Sequence, residues 1–448
     1  MNTSPTDALA ASVARLAYGD LPGPVVTLAR QCVLDTLGVA IAGAAEPVTA
    51  VVRDVALDEY GVGRCMILGT DGTASGAAAA LVNATAAHAL DYDDLQMDAM
   101  GGHPSAPLLP AVLAAAEESG ASGRDVLTAF VAGFEAQCRI GKAVGSDHYR
   151  RGFHTTATIG TLGAAAGVAR LLGLDAAKTA HALGAAALSA AGLRAMFGTM
   201  GKPLQVGRSA SSGFLAARWA ARGFTGPDDA LFCPQGFATT LAEDTDPDAI
   251  RRPFGAPWHI LRVLFKAHAS CYGTHASIEA VLRFREQETV TAENVEEIEV
   301  RVPSPQFGVC AVPRPSTGLE GKFSLTFTAA LALVEGSADE SRFTDAAVRD
   351  PQIAAVAERV TVVADDALPP LGAAVTARLR DGPTVAAEVD AGAPGWSTDP
   401  AEQDERLARK FRGLVAPILG ADAAETLADL IGRLEAVDDI RTLTKEIL

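Results

Sequence analysis

Apolar residues recur at helical spacing through roughly the first 230 residues, with almost none of the alternation that indicates a strand. Val33, Leu37 and Ile41, for example, fall on one face of a helix predicted over 25–42. Gly163 and Gly167 stand four residues apart on one face of another predicted helix, where a neighbouring backbone can come close. Alanine and glycine dominate the composition, which suits closely packed helices. We therefore expect a mainly α-helical protein.

The pattern changes after about residue 253. Ile298, Val300 and Val302 alternate with charged residues, which predicts a half-buried strand over 295–302. Further strands are predicted over 359–363, 373–380 and 384–389, with a hairpin turn at Asp381-Gly382. The helical pattern returns from about residue 402. A chain of 448 residues is longer than a single domain with one hydrophobic core usually is. We predict a large helical domain built from both chain ends (1–264 and 396–448) and a smaller inserted α+β lid domain (265–395).

Charge and cysteine usage exclude several classes of function. The formal charge of −17 argues against a nucleic-acid partner, since phosphate binding favours a basic surface. The six cysteines are far apart with no Cys-x-x-Cys, so neither a disulfide framework nor a zinc or iron–sulfur site is expected. The most apolar run, 155–174, carries Arg170 and favours a buried helix over a membrane span. Residues 1–18 lack the pattern of a signal peptide. We therefore expect a cytoplasmic protein with no membrane partner.

A polar cluster lies between two alanine-rich apolar segments, over 88–107. It contains two histidines and four aspartates: His88, His103, Asp91, Asp93, Asp94 and Asp98. Such a cluster at a helix end or loop is where a rigid scaffold usually presents chemistry. The alternative is a solvated acidic loop that caps helices.

Three further segments concentrate polar groups. His154 and neighbouring hydroxyls precede an apolar helix, where an anion could bind, although a capped helix with a packed histidine is the simpler alternative. Lys202 and Arg208 lie among glycines in 198–213, which lacks phosphate-loop spacing and is compatible with an ordinary surface loop. Residues 264–275 contain Lys266, His268, Cys271 and His275, in a spacing that matches no standard zinc site. Together these groups could bind a small polycarboxylate and move a proton beside it.

The ordered set of motifs resembles the MmgE/PrpD family over most of the chain. The matching motifs are Asp35-Thr-Leu-Gly38, His88-Ala-Leu-Asp-Tyr-Asp-Asp94, His103-Pro-Ser105, Gly152-Phe-His-Thr155, Gly201-Lys202, 266–275 and Gly321-Lys-Phe-Ser324. The resemblance implies a helical domain plus a lid, a homodimer, and no metal or organic cofactor. It implies catalytic roles for Asp91 or Asp94, His103, His154, Lys202, Lys266, His275 and Tyr149. The substrate-binding candidates are Thr155, Gln205, Arg208 and Lys322.

Two positions depart from the family pattern. Relatives often have histidine where this chain has Gln205, and some have tyrosine where it has Phe327. The resemblance implies a cofactor-independent lyase that acts on a small di- or tricarboxylate. Such an enzyme removes a proton α to a carboxylate and eliminates a β leaving group, for which water is the first candidate. A decarboxylase and an epimerase that use the same groups are the near alternatives. A non-catalytic binding or scaffold protein is the alternative from another class. Lys266, at the predicted domain junction, is expected to act as the base or as an anchor for a substrate carboxylate.

Overall fold

A computed structural model of the protein describes residues 3–255, 257–287, 290–380, 382–392 and 400–446. It is mainly α-helical, which confirms the predicted class. The chain divides into two compact units. The helical unit contains Met1–Ala89, Asp93–Phe265 and Asp404–Leu448, and the mixed unit contains Leu90–Tyr92 and Lys266–Gln403. The predicted domain boundary at 395/396 and the first residue of the predicted turn, Asp381, lie outside the described residues.

The helical unit takes its helices first from the N-terminal part of the chain. These are α1 (Pro5–Arg15), α2 (Gly23–Gly43), α3 (Pro47–Tyr60), α4 (Gly76–Ala89), α5 (Ser105–Ser119), α6 (Gly123–Arg150), α7 (Thr155–Leu171), α8 (Ala176–Ala187), α9 (Gly201–Ala221), α10 (Phe237–Leu241) and α11 (Pro247–Arg251). Two short strands, β1 (Cys65–Met66) and β2 (Thr73–Ala74), pair antiparallel between α3 and α4. By length and composition one described helix, α2, could cross a membrane, but 67% of its most apolar stretch is buried within the protein, as in a core helix.

Small residues let several of these helices pack closely against one another. A Cβ added at Gly133 of α6 would lie 2.7 Å from the Gly163 carbonyl oxygen and 3.2 Å from the Gly167 Cα of α7. The two glycines singled out from the sequence therefore do line a close helix contact. A Cβ added at Gly207 of α9 would lie 2.1 Å from Thr85 Oγ1 of α4. Because His88 lies on α4, His154 immediately before α7 and Lys202 on α9, this close packing brings those side chains together.

The start of α9 corrects one sequence interpretation. The pattern over 198–213 is compatible with an ordinary surface loop, yet the helix α9 begins at Gly201. Lys202 and Gln205 therefore lie on the first turns of a helix rather than in a loop. Pro203 is compatible with this position, because the first N–H groups of a helix have no partner within it.

The mixed unit combines a four-stranded sheet with short helices. Its elements are α12 (His275–Glu286), β3 (Val295–Val302), α13 (Ser304–Val309), α14 (Gly318–Gly321), α15 (Leu325–Glu335), α16 (Asp345–Val348), α17 (Pro351–Ala357), β4 (Val360–Ala364), β5 (Gly372–Leu379) and β6 (Thr384–Asp390). The strand order is β4-β3-β5-β6, with β3 parallel to β4 and antiparallel to β5. The strand predicted over 295–302 is confirmed residue for residue.

The last helices return the chain to the helical unit: α18 (Pro400–Leu419), α19 (Ala421–Gly432) and α20 (Arg441–Lys445). Lys410 Nζ lies 2.7 Å from Asp35 Oδ1 of α2 in a buried ion pair. Phe411 Cδ2 lies 2.9 Å from where a Cβ at Gly38 would stand. The Asp35–Gly38 motif therefore holds α18 against α2 and has a packing role.

Candidate active site

A histidine–aspartate–histidine contact forms the centre of the site in the helical unit. His88 lies in the last turn of α4, and the chain beyond it brings Asp93 and His103 to the same place. Asp93 Oδ2 lies 2.9 Å from His88 Nδ1 and 3.2 Å from His103 Nδ1, and the two rings meet edge to face at 4.7 Å. One carboxylate therefore contacts the Nδ1 atoms of two imidazoles.

Burial and charge fix the protonation states at this contact. Burial alone would raise the pKa of the Asp93 carboxyl, but the His103 and His88 rings outweigh it and hold that pKa well below its ordinary value. Burial lowers the pKa of His88 to about 4, with Asp93 opposing and Lys202 adding to the shift. Near neutral pH, Asp93 is thus a carboxylate and His88 a neutral ring. His88 donates from Nδ1, and its buried Nε2 has no hydrogen-bond partner in the described part of the chain.

His154 and Lys202 stand beside this pair. His154 precedes α7, and its ring stacks on His88 at 5.8 Å and meets Phe197 edge-on at 5.0 Å. Lys202, buried on the first turn of α9, holds its ammonium 5.4 Å above the Phe197 ring. The helical unit therefore gathers three imidazoles, one carboxylate and one ammonium. Such a set can hold an anion and transfer protons.

The start of α7 fixes the loop that carries His103. The His103 backbone N–H donates to Thr156 Oγ1 at 3.1 Å, and Thr155 Oγ1 donates to the Gly101 carbonyl at 2.6 Å. A Cβ at Gly102 would come within 2.8 Å of Thr156 Oγ1, so this close approach requires glycine. Thr155, predicted to bind substrate, thus positions the loop in this structure.

Gln205, also predicted to bind substrate, contacts His154. Gln205 Oε1 accepts the Leu193 backbone N–H at 2.9 Å, and Nε2 donates to the Leu193 carbonyl at 3.2 Å. Gln205 Nε2 also lies 2.7 Å from His154 Nδ1. The departure from the family pattern at this position therefore bears directly on a histidine of the site.

The neighbouring aspartates separate into different roles. Asp94 Oδ2 accepts the Ser105 hydroxyl at 2.5 Å and Oδ1 the Ser105 N–H at 3.3 Å, at the start of α5. Burial and nearby Asp35 raise the pKa of Asp94 to about 8. Asp94 was predicted as a catalytic candidate, but the structure places it at a helix start, and Asp93, which the prediction passed over, contacts the histidines. His88 was likewise absent from the predicted catalytic set, although it belongs to the same motif.

Two other predicted residues have different surroundings. Arg208 is exposed on α9, and within the described ranges none of its contacts is with the histidine cluster. The Tyr149 ring lies against the Arg194 guanidinium at 4.1 Å, and Arg194 also donates to the Tyr149 carbonyl. The structure thus gives Tyr149 a packed, cation-facing ring and leaves Arg208 on the surface.

A second polar group belongs to the mixed unit. Lys266, only 2% exposed, donates to the Asp91 carbonyl at 2.6 Å and lies 3.0 Å from Asp91 Oδ1. Lys322 donates to the Leu90 carbonyl at 2.5 Å, and the Tyr92 hydroxyl donates to the Ala267 carbonyl at 3.0 Å. Asp91 itself has φ 54°, in the left-handed region that aspartate tolerates better than most residues. Lys266 and Lys322 thus hold the short segment Leu90–Tyr92.

His275 is buried in the mixed unit at the start of α12. Its ring stacks on Tyr272 at 4.5 Å and meets His268 at 5.1 Å. Burial, then His268 and Lys266, hold the pKa of His275 well below its ordinary value, so the ring is neutral. His268 is engaged by Glu279 at 2.9 Å. The centroid of the Phe327 ring lies 6.2 Å from that of Phe343 in the core of this unit. Phe327, which stands where some relatives have tyrosine, is therefore a packing residue.

One group has the spacing of metal ligands. The ligand atoms of His88, Asp93 and His103 lie within 4.8 Å of one another. The sequence spacing had drawn attention to His268, Cys271 and His275 instead. At the site in the helical unit, the nearby Lys202 ammonium opposes a bound cation, and the His88 Nδ1 hydrogen already occupies the position of one ligand bond.

Comparison with known proteins decides the family. The MmgE/PrpD N-terminal domain matches residues 7–250, and the MmgE/PrpD C-terminal domain matches residues 268–436. The chain belongs to the MmgE/PrpD family. It is 28% identical to the cis-aconitate decarboxylase of Homo sapiens, over 99% of this chain and 94% of that protein. It is also 28% identical to the cis-aconitate decarboxylases of Mus musculus (99% and 93%) and Aspergillus terreus (96% and 92%). The chain is accordingly an enzyme of the lyase type.

Proposed function

We propose that this enzyme is a cofactor-independent lyase for a small di- or tricarboxylate, with decarboxylation as the first reaction to test. The relatives are cis-aconitate decarboxylases along almost their whole length, which moves decarboxylation ahead of the loss of water. The observation that carries the proposal is the buried contact of Asp93 with His88 and His103.

The proposed chemistry follows from the charge that develops. Loss of carbon dioxide, or of a proton α to a carboxylate, leaves an electron pair on a carbon atom, which a conjugated substrate carboxylate can accept. A nearby cation stabilises that charge, and Lys202 supplies one. Asp93 lies at ion-pair distance from His103 Nδ1, which favours a hydrogen there and leaves Nε2 to accept a proton where one is removed from the substrate. Decarboxylation instead adds a proton to that carbon, and a protonated His103 or the Lys202 ammonium can supply it. His154, just before α7, can donate a hydrogen bond to the same charge.

The scaffold alternative loses its motivation. It rested on Gln205 and Phe327, but Gln205 engages His154 and Phe327 packs in a core, so neither departure removes the polar set. A lid role for the mixed unit and a homodimer remain predictions from the resemblance, and a cytoplasmic location remains a prediction from the cysteine usage and the N-terminal pattern.

The test is incubation with cis-aconitate and other di- and tricarboxylates in deuterated water. A decarboxylase releases carbon dioxide and places deuterium in the product, a dehydratase forms an alkene that absorbs in the ultraviolet, and an epimerase exchanges the α-hydrogen without losing a group. His103→Ala should lower the rate by roughly a hundredfold or more, as for loss of a group that transfers a proton. His181→Ala on α8, outside the cluster, is the matched control. Absence of exchange and turnover with every such acid would contradict the proposal.

A further inference from the structure

The orientation of the Gln205 side-chain amide is fixed by backbone groups. The Leu193 N–H can only donate, so the atom 2.9 Å from it must be Oε1. The Leu193 carbonyl can only accept, so the atom 3.2 Å from it must be Nε2. Both contacts give the same orientation, and the amide NH2 must therefore face His154.

This orientation determines where His154 carries its hydrogen. Gln205 Nε2 lies 2.7 Å from His154 Nδ1, and an amide NH2 has hydrogens to give but no lone pair to accept with. Nδ1 must therefore be the acceptor in this hydrogen bond. A neutral imidazole with a bare Nδ1 carries its single hydrogen on Nε2.

Backbone groups of Gly192 and Leu193 fix the positions of His154 and Gln205 relative to each other. The His154 N–H donates to the Gly192 carbonyl at 3.0 Å, one residue before the Leu193 groups that hold Gln205. A Cβ added at Gly192 would lie 2.6 Å from the Ala157 Cβ and 3.4 Å from both Gln205 Oε1 and the His154 Cβ. One loop thus binds the histidine backbone and the glutamine amide together, and the glycine allows the approach.

The other two rings of the site are held in the opposite way. Asp93 accepts from His88 Nδ1 and lies at ion-pair distance from His103 Nδ1, which favours hydrogens on the Nδ1 atoms of both. We propose that Gln205 is a positioning residue that keeps His154 neutral with its hydrogen on Nε2, so that His154 donates a hydrogen bond to charge that develops on the substrate and the proton-accepting role is left to His103. The tautomer follows from the geometry alone, whereas the donor role rests on the function proposed above.

The charges around His154 agree with a neutral ring. His88 on α4 stacks on it, and Lys202 lies one turn before Gln205 on α9. A second positive charge beside Lys202 would be repelled. Protonation of Nδ1 would also place its hydrogen against the amide hydrogens of Gln205 at 2.7 Å.

NMR spectroscopy can determine directly which ring nitrogen of His154 carries the hydrogen. In protein labelled with 15N-histidine, long-range 1H–15N correlation spectra distinguish protonated from unprotonated ring nitrogens, and a His154→Gln variant identifies the His154 signals among the eight histidines. We expect an unprotonated Nδ1 in the wild type. In Gln205→Glu a carboxylate can only accept, so the hydrogen should move to Nδ1 and the ring should stay protonated to a pH at least one unit higher. Gln352→Glu makes the same charge change at an exposed position on α17 and should leave His154 unchanged.

Gln205→Leu keeps the experiment decisive if the glutamate variant does not fold. Without the amide, His154 should populate both tautomers, and Gln205→His should show whether a ring can replace the amide. With a substrate in hand, Gln205→Glu should lower kcat about a hundredfold or more with a small change in KM, as when a catalytic histidine is held in the wrong tautomer. A hydrogen on Nδ1 in the wild type, or a tautomer that neither Gln205→Glu nor Gln205→Leu alters, would overturn the inference. The expected spectra without turnover of any polycarboxylate would support the tautomer assignment and overturn the proposed function and donor role.

Discussion

At the scale of single residues, two adjacent buried carboxyl groups have pKa values that are shifted in opposite directions. Asp93 faces two imidazoles, which hold its pKa well below the ordinary value. Asp94 faces Ser105 and lies near Asp35, and burial raises its pKa to about 8. Desolvation disfavours the charged form of both groups, and only Asp93 has partners that outweigh it. One carboxyl is therefore ionised and the next is largely neutral near pH 7.

Asp94→Asn should make stability less dependent on pH. The pKa of Asp94 rises from 3.8 to about 8 on folding, so this group stabilises the protein most below its unfolded pKa and loses that contribution as the pH rises towards 8. Asparagine keeps the shape and can still bond to Ser105. In urea unfolding at about pH 5 and 8, the wild type should lose stability relative to Asp94→Asn at the higher pH. An equal difference at both values would contradict the raised pKa.

Lys266→Ala should destabilise the mixed unit. The lysine is 2% exposed and lies 3.0 Å from Asp91 Oδ1, so its removal leaves a carboxylate buried without its cation. Breaking a buried pair in this way typically costs about 3–5 kcal/mol. Lys142→Ala, at a half-exposed pair with Asp98, should change the free energy of unfolding by less than about 1 kcal/mol. If chemical denaturation shows an equally small change in the free energy of unfolding for both variants, the Lys266–Asp91 pair is unimportant for folding.

Catalysis then separates the two roles expected for Lys266. Lys266→Arg keeps the charge but removes a base that works at neutral pH. If arginine restores turnover that alanine loses, the lysine acts through its charge, as an anchor for a carboxylate or for Asp91. If arginine restores folding without turnover, the role as a base gains support.

Residue types in the site could be predicted from sequence, but their pairing could not. The motifs around His103, His154, Lys202 and Lys266 identified polar residues that prove to be buried or nearly so. Asp91, Asp93 and Asp94, by contrast, share one motif, and nothing in their spacing shows which carboxylate meets a histidine. That choice depends on the backbone path, including the left-handed conformation at Asp91, which no periodicity encodes.

At the scale of elements, Gly207 allows α9 to pack closely against α4. A Cβ there would lie 2.1 Å from Thr85 Oγ1 and 2.4 Å from the Leu81 carbonyl. Gly207→Ala should therefore lower the free energy of unfolding by about 1–3 kcal/mol, through forced separation of the helices. Gly413→Ala in α18 is the matched control, because a Cβ there meets nothing within 4 Å. It should stabilise the protein by up to about 1 kcal/mol, and destabilisation by both variants would point to a general effect of alanine.

Regular elements with strong periodicity were predictable, and the exceptions have physical causes. The alternation of apolar and charged residues over 295–302 predicted β3 correctly, because the two faces of this strand differ in burial. The first turn of α9 was missed because Gly201 and Pro203 are typical of loops, yet both are acceptable where helical N–H groups have no internal partner. The kink at Gly145, with φ 62° inside α6, likewise depends on packing that the sequence pattern does not show.

At the scale of the whole molecule, activity should be independent of added metal. His88, Asp93 and His103 have ligand-like spacing, but the His88 Nδ1 hydrogen is held by Asp93 and the positive charge of the nearby Lys202 opposes a second cation there. Treatment with a chelator should change turnover by less than about twofold, and elemental analysis should find no stoichiometric metal. A bound ion in equal amount to protein, with activity lost on its removal and restored on its return, would contradict this expectation.

Phe411→Ala should test how far the C-terminal segment supports the helical unit. Phe411 is 1% exposed and contacts α2 where Gly38 leaves room, next to the Lys410–Asp35 pair. Loss of its ring would open a cavity against α2, which for a buried phenylalanine costs about 3–5 kcal/mol. Phe307→Ala in the mixed unit, where the ring is 44% exposed, is the control and should cost much less. Urea unfolding should therefore show a lower midpoint for Phe411→Ala alone, and an unchanged midpoint would mean that α18 contributes little to the stability of the fold that carries His88.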